Sequence, residues 1–389
     1  MHKIRTYNAI SFKGLSRFSD QSYAVSDSCD DPDAFILRSQ KLHTEEVPDS
    51  LLAVARAGAG VNNIPVDDYT QQGIVVFNTP GANANAVKEL IVAGLLLGSR
   101  DIYGGMNYVQ ALDHMDDGAA MGKLLEKEKK RFAGTEISGK TLGVVGLGAI
   151  GSIIANLGLE LGMDVIGYDP AISVEAAWQL SSRVERMESL DALLARADFV
   201  TLHVPAIPAT KHLINSKTLS GMKSSAKILN FAREEIVSTE DMISALDSGV
   251  IAGYVSDFPA PGLIGRSDVL LMPHIGASTA EAEENCAVMA ANQLKDFLEN
   301  GNIYNSVNYP STKMGRNGGS RITFSNNNVP KVLGNVLSIL ADANLNVVDM
   351  VNKSRGEIAY NIIDVEGDLS DDLYSQISAV DGVMRVRFI

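Results

Sequence analysis

The stretch "GKTLGVVGLGAIGSIIANLGLELGMDVIGYD", residues 139–169, decides how the chain is read. A short apolar strand, TLGVV, leads into Gly146, Gly148 and Gly151; an apolar helical run follows, and a second strand ends at Asp169. Each glycine answers a separate need. Gly146 allows a tight turn, Gly148 lets the backbone approach a pyrophosphate, and Gly151 lets helix and sheet pack closely. A phosphate there would meet free amides at a helix N-terminus. Asp169 falls close to the roughly 20-residue offset of a ribose-binding acid, and its charge opposes a 2'-phosphate. The bland alternative is an ordinary turn with a strand-end cap. The complete strand–helix–strand context favours a dinucleotide site, with NAD preferred over NADP.

Working outward, "MDVIGYD", "ADFVTLHV", "AKILNFA", "IAGYVSDF" and "DVLLMP" read as further strands of the same unit, with helices between them. Before it, "DAFILRS", "SLLAVARAG" and "GIVVFNTP" mark strands of another α/β unit. A long helical region runs from about residue 83 to about 108, and "LEKEKKRFAG" reads as a solvated connection. The helical run after His274 is long enough to cross back and complete the first unit. At "NYPSTKMGRNGGS" the composition shifts to a linker signal. Beyond it, strand, helix, two strands, helix and strand give βαββαβ, a ferredoxin-like small domain. The expected fold is α/β: two Rossmann/flavodoxin-like parallel-sheet domains plus a C-terminal ferredoxin-like α+β domain.

A net charge of -14, from 33 basic and 47 acidic side chains, opposes broad attraction to nucleic acid or a membrane surface. It leaves room for a local basic pocket that binds a small anion. The two cysteines, Cys29 and Cys286, cannot build a disulfide framework or a four-sulfur metal site, and the histidines are too scattered for a metal cluster. The run "VKELIVAGLLLG" is short and begins near Lys88 and Glu89, so it reads as a buried helix. "MHKIRTYNAISF" lacks the apolar stretch of a secretory signal. A cytoplasmic setting is expected.

Two residues stand out for chemistry. His274, in "LLMPHIGAST", follows the last strand of the nucleotide unit, where side chains face the ligand crevice. A neutral imidazole there can take an alcohol proton; equally, it can bond a strand-end carbonyl. Arg233, in "ILNFAREEIV", can grip a carboxylate with two parallel hydrogen bonds, or pair with Glu234 or Glu235. Arg56 and Arg38 also follow apolar strands and can bind an anionic substrate or balance the acidic surface.

In this order, "ARAGAGVNNIPVD", "VVGLGAIG", "VTLHVPAIPATKHLI", "NFAREEIV" and "MPHIGAST" resemble the D-isomer-specific 2-hydroxyacid dehydrogenases over nearly the whole chain. The resemblance implies a discontinuous substrate-binding domain at residues 1–95 and 276–307 and an NAD-binding domain at 96–275. A linker follows at 308–319, with an ACT regulatory domain at 320–389. It makes Arg233 the carboxylate-binding arginine and His274 the acid/base. Gly148, Ala149, Ile150, Asp169, His203, Val204, Pro205 and Thr210 become cofactor contacts. Arg56 lies near the substrate phosphate, with Arg38 assisting, and Gly58, Ala59, Gly60 and Val61 form the substrate-binding backbone. Asp257 is placed near the nicotinamide amide. The implied reaction is the reversible NAD-dependent oxidation of 3-phospho-D-glycerate to 3-phosphooxypyruvate, the first step of phosphorylated L-serine synthesis. A homodimer or homotetramer is implied too.

The chain departs from that family in two places. The family carries a glutamate soon after the acid at 257, paired with the histidine; "SDFPAPGLIGRSD" has none. Asp257 is the first substitute as orienter of the ring, with Asp268, Glu281 or a backbone carbonyl as alternatives. In the ACT-like tail, Asn326, Asn328 and Asn346 match effector-binding positions for an amino acid, while the motif's glycine is Lys331. These asparagines also suit an ordinary turn and a helix cap. Two other readings stay open: another D-2-hydroxyacid dehydrogenase or 2-ketoacid reductase, and a non-catalytic NAD-linked corepressor or sensor.

Overall fold

The computed structural model describes residues 1–389, the side chain of Glu175 aside. Among the described residues the chain forms three sheets. In the first, β1 (His2–Thr6), β2 (Tyr23–Ser26), β3 (Ala34–Leu37), β4 (Ala53–Arg56) and β5 (Val75–Phe77) are all parallel, in the order 2-1-3-4-5. The second contains β6 (Thr141–Val145), β7 (Asp164–Tyr168), β8 (Glu185–Arg186), β9 (Phe199–Leu202), β10 (Lys227–Asn230), β11 (Gly253–Ser256) and β12 (Val269–Leu271). Its strands are parallel, in the order 12-11-10-9-6-7-8. After β8 the chain returns to the other side of β6. That reversal creates the crevice where open parallel sheets bind ligands. The third sheet, β13 (Ser320–Asn327), β14 (Asn346–Arg355), β15 (Ile358–Glu366) and β16 (Val383–Phe388), is antiparallel, in the order 14-15-13-16. With its two helices it is the ferredoxin-like arrangement read from the sequence.

The chain divides into two compact units, residues 1–83 with 279–389, and residues 84–278. In the first, helix Ala280–Asn300 lies on the parallel sheet. It buries Cys286, Ala287, Ala290, Ala291, Leu294, Phe297 and Leu298, with alanines allowing close approach. Thr279 caps its start by accepting from the Ala282 amide at 3.1 Å, and left-handed Gly301 ends it. The antiparallel sheet then takes up the helix's last carbonyls. Arg387 donates to Phe297 O and Leu298 O, Arg321 to Asn300 O at 2.8 Å, and the Tyr360 hydroxyl to Gly301 O at 2.8 Å. Cations at a helix C-terminus also suit its dipole. Fully buried Arg321 makes a two-pronged pair with Asp364, at 2.6 and 2.8 Å, and reaches Met314 O and Gly315 O as well.

Several sequence expectations change. The first part of the segment read as a linker is packed: Asn308 and Tyr309 are buried, and Asn308 holds the Val76 amide and the Ile74 carbonyl, while residues 315–319 are exposed. The long helix over residues 83–108 breaks into Ala84–Ser99 and Ile102–Gln110, because Asp101 caps the second piece through the Gly104 amide. Helix Ala84–Ser99, placed at the end of the first domain by sequence, groups with the second unit. The charged connection is helical over Gly118–Glu128 and buries no residue there. Strands β1, β2 and β8 were not anticipated, since each is short and carries polar residues.

Lys331 precedes helix Val332–Asp342 in a left-handed conformation, φ 78°. That region strains any residue with a Cβ and suits glycine. Lys331→Gly should therefore raise the unfolding free energy by about 1 kcal/mol. A urea midpoint that stays put or falls would contradict this.

Candidate active site

In the second unit the glycine turn has the properties its spacing implied. Gly146 sits at φ 89°, and a Cβ on Gly151 would stand 1.9 Å from the Gly146 carbonyl oxygen, so only glycine fits there. A Cβ on Gly148 would meet open space. Helix Ala149–Glu160 begins immediately after, so its first-turn amides lack intrahelical partners. Asp169 lies beside this turn: its carboxylate accepts from the Leu147 amide at 2.8 Å and the Ala171 amide at 2.9 Å.

Across the switch point, the His203 amide donates to Val145 O at 2.7 Å. A Cβ on Gly146 would touch His203 O and Val204 Cγ1, so residues 203–204 line the other side of the turn. Burial pushes the His203 ring down to about 3. The residue is half-buried, with ring Nε2 2.9 Å from the Thr201 hydroxyl. A neutral His203 follows. The Thr210 hydroxyl closes its own loop onto the carbonyls of Pro205 and Ile207, while Pro205 is exposed.

Three neighbouring strands then deliver the chemistry to the same sheet edge. Arg233 follows β10, Asp257 follows β11 and His274 follows β12. Main-chain bonds fix the order: the Asp257 amide donates to Asn230 O, the Met272 amide to Ser256 O, and the His274 amide to Asp257 O. Fully buried Asn230, which the sequence reading overlooked, shapes the arginine's turn. Its side chain holds Arg233 O at 2.8 Å and the Ala232 amide at 3.2 Å; an asparagine closing an apolar strand was the available signal. Half-buried Arg233 donates from one terminal nitrogen to Ala232 O, and among the described residues it makes no ion pair. Its remaining donors suit a carboxylate.

Asp257 corrects the orienter reading. Its buried carboxylate holds the Ile275 amide at 2.8 Å and the Gly276 amide at 2.7 Å. It therefore grips the backbone beyond His274, which is left-handed at φ 57°, and does not bond the ring. Asp268 is taken up by Arg266 at 2.9 Å through both oxygens. The ring instead lies against Phe258, with centroids 4.9 Å apart. Nothing local in the sequence marks that contact.

In the first unit, Arg38 and Arg56 sit at the carboxyl edge of the first sheet, already engaged. Arg38 pairs with Glu283 at 2.8 Å. Arg56 donates to Arg38 O at 3.0 Å and Gly60 O at 2.5 Å, and a Cβ on Gly58 would collide with its guanidinium. The carbonyls of Gly58, Ala59 and Val61 also accept bonds, whereas the amides of Ala59, Gly60 and Val61 make no bond to backbone. The proposed effector asparagines are not gathered within the chain. Asn326 belongs to an amide ladder with buried Asn361 and exposed Asn352, Asn328 holds Gly356 O, and Asn346 pairs with Glu366 at the far end of the sheet.

The NAD binding domain of the D-isomer specific 2-hydroxyacid dehydrogenases matches residues 105–276. The D-3-phosphoglycerate dehydrogenase of Haemophilus influenzae is 32% identical over 368 residues, 91% of this chain and 85% of that protein. Its namesake in Synechocystis is 39% identical over 287 residues, 72% of this chain; the chain spans about half the length of that relative, 49%. Among solved structures, NAD+-bound 3-phosphoglycerate dehydrogenase of Entamoeba histolytica has a TM-score of 0.61 at 25% identity, covering 79% of this chain and 98% of that one. An NAD-complexed D-isomer specific 2-hydroxyacid dehydrogenase from Lactobacillus delbrueckii gives 0.64 at 25% identity, covering 79% and 100%. A parallel sheet with a glycine turn at its switch point, and a relative 32% identical and matched over 85% of its length, lead to one conclusion: the chain belongs to the D-isomer specific 2-hydroxyacid dehydrogenase family.

Proposed function

We propose that the protein catalyses the reversible NAD-dependent oxidation of 3-phospho-D-glycerate to 3-phosphooxypyruvate. The observation that carries this is the delivery of Arg233, Asp257 and His274 by adjacent strands to the same carboxyl edge of the sheet that carries the glycine turn. The residues present fit NAD: Gly146 and Gly151 leave no space for a side chain, Gly148 opens the approach, and Asp169 stands beside the turn. Gly148, Ala149 and Ile150 would hold the pyrophosphate, Asp169 the ribose hydroxyls, and His203, Val204 and Pro205 would flank the cofactor. The cofactor held by these residues would supply the acceptor for the hydride on C2 of the substrate. Arg233 clamps the substrate carboxylate and stabilises the charge on the nascent carbonyl. His274 accepts the hydroxyl proton.

Recognition of the phosphate falls to Arg56, with Arg38, beside the amides of Ala59, Gly60 and Val61, which make no bond to backbone. Arg56 also braces that loop through Gly60 O. Among the described residues no helix is long and apolar enough to cross a membrane. Cys29 and Cys286 are both free, which supports a reducing compartment such as the cytoplasm. The proposed assembly is a homodimer or homotetramer, with an amino-acid effector at the C-terminal sheet. The scattered asparagines mean that such an effector would need residues beyond one chain's Asn326, Asn328 and Asn346.

The direct test is NADH formation from NAD and a 2-hydroxyacid panel of 3-phospho-D-glycerate, glycerate, lactate and 2-hydroxyglutarate. The phosphorylated acid should be turned over best; NAD binding without turnover of any member in either direction would refute the enzyme reading. Arg233→Lys keeps the charge but loses the planar fork. It should lower kcat/KM by about a hundred-fold, and a value within three-fold of the parent would remove Arg233 from its role.

A further inference from the structure

His274 has a conspicuous gap around it: among the described residues its ring makes no hydrogen bond and no ion pair. Two of the acids considered for it are committed elsewhere, Asp257 to two amides and Asp268 to Arg266. The backbone at φ 57° fixes the direction in which the side chain leaves the loop, but not the rotation of the ring about its own bonds. Phe258 supplies that second restraint. Its ring meets the imidazole at 58° with centroids 4.9 Å apart, within the range of tilted aromatic pairs.

Phe258 is itself well anchored. Its amide donates to the Ser256 hydroxyl at 3.1 Å, Ser256 is fully buried, and the preceding Asp257 is locked at the end of β11. The phenyl carried by this anchored backbone therefore limits the rotamers open to His274. A carboxylate partner would choose one imidazole tautomer by bonding one nitrogen. A phenyl ring bonds neither, so both nitrogens stay available to exchange protons with an alcohol and with water.

We infer that Phe258 is the positioning residue of His274, holding the imidazole by ring packing where no acid does so. This rests on the proposed function, in which His274 is the base. Phe258→Ala should lower kcat between about ten- and a hundred-fold, the scale of a small misplacement of a reacting group. KM for 3-phospho-D-glycerate and NAD affinity should stay within two-fold. The isotope effect on kcat with C2-deuterated substrate should rise, because chemistry becomes slower relative to product release. Phe258→Tyr should restore most of the rate and Phe258→Leu only part. An activity-independent readout accompanies these: in protein with labelled histidine, the His274 ring resonance, assigned with His274→Gln, should lose its ring-current shift in Phe258→Ala and keep it in Phe258→Tyr.

The inference is overturned if Phe258→Ala turns over within two-fold of the parent, or if its loss is accounted for by weaker NAD binding or a lower melting temperature. It is equally overturned if the His274 resonance does not move. If the parent itself oxidises no 2-hydroxyacid, the enzyme reading fails, and the resonance alone decides whether Phe258 holds the ring.

Discussion

The buried carboxylate of Asp257 is the constraint on which the proposed chemistry depends. It ends the central strand of three and ties down the amides of Ile275 and Gly276. The residue just before them, His274, occupies a left-handed conformation, which costs a residue with a side chain on the order of 1–3 kcal/mol. A hydrogen bond to a charged acceptor contributes about 1.5–3 kcal/mol. Two such bonds are enough to hold the strained loop, and one is marginal. Relaxed backbone at His274 would send the imidazole elsewhere, whatever the quality of the cofactor site.

The same logic, polar groups used against main chain, fastens the C-terminal sheet. A buried ion pair such as Arg321–Asp364 is by itself weak evidence of stability. Arg321 goes further: it also reaches the carbonyls of Asn300, Met314 and Gly315, while Arg387 and Tyr360 take up others at the end of the same helix. The first part of a segment that reads as a linker is thus packed, and the small sheet is built into the first unit.

Legibility followed the range of the interaction. The glycine turn, Asp169 and the five named strands of the second sheet were readable, because local sterics and continuous apolar runs set them. Strands β1 and β2 were not, since HKIRT and YAVS mix polar with apolar residues and owe their state to pairing with neighbours. Asp101 and Asn308 ended a helix and buried a linker through side-chain bonds to main chain that composition does not reveal. His274 and Arg233 could be singled out as strand-end residues. What surrounds them could not: the acid adjacent to Phe258 proved to hold backbone, and the ring partner is apolar. Arg38 and Arg56 were legible as cations near an edge, but their ties to Glu283 and to loop carbonyls emerge only from the fold.

Amide hydrogen exchange across residues 272–278 tests the central constraint most directly, comparing the parent with Asp257→Asn. The asparagine variant can accept from one of the two amides but turns a donor toward the other. Ile275 and Gly276 should be protected in the parent, and at least one should exchange about ten-fold or more faster in the variant, the ratio expected for loss of about 1.4 kcal/mol. Equal exchange in the two proteins would show that something other than this carboxylate holds the histidine loop, and the account would be wrong.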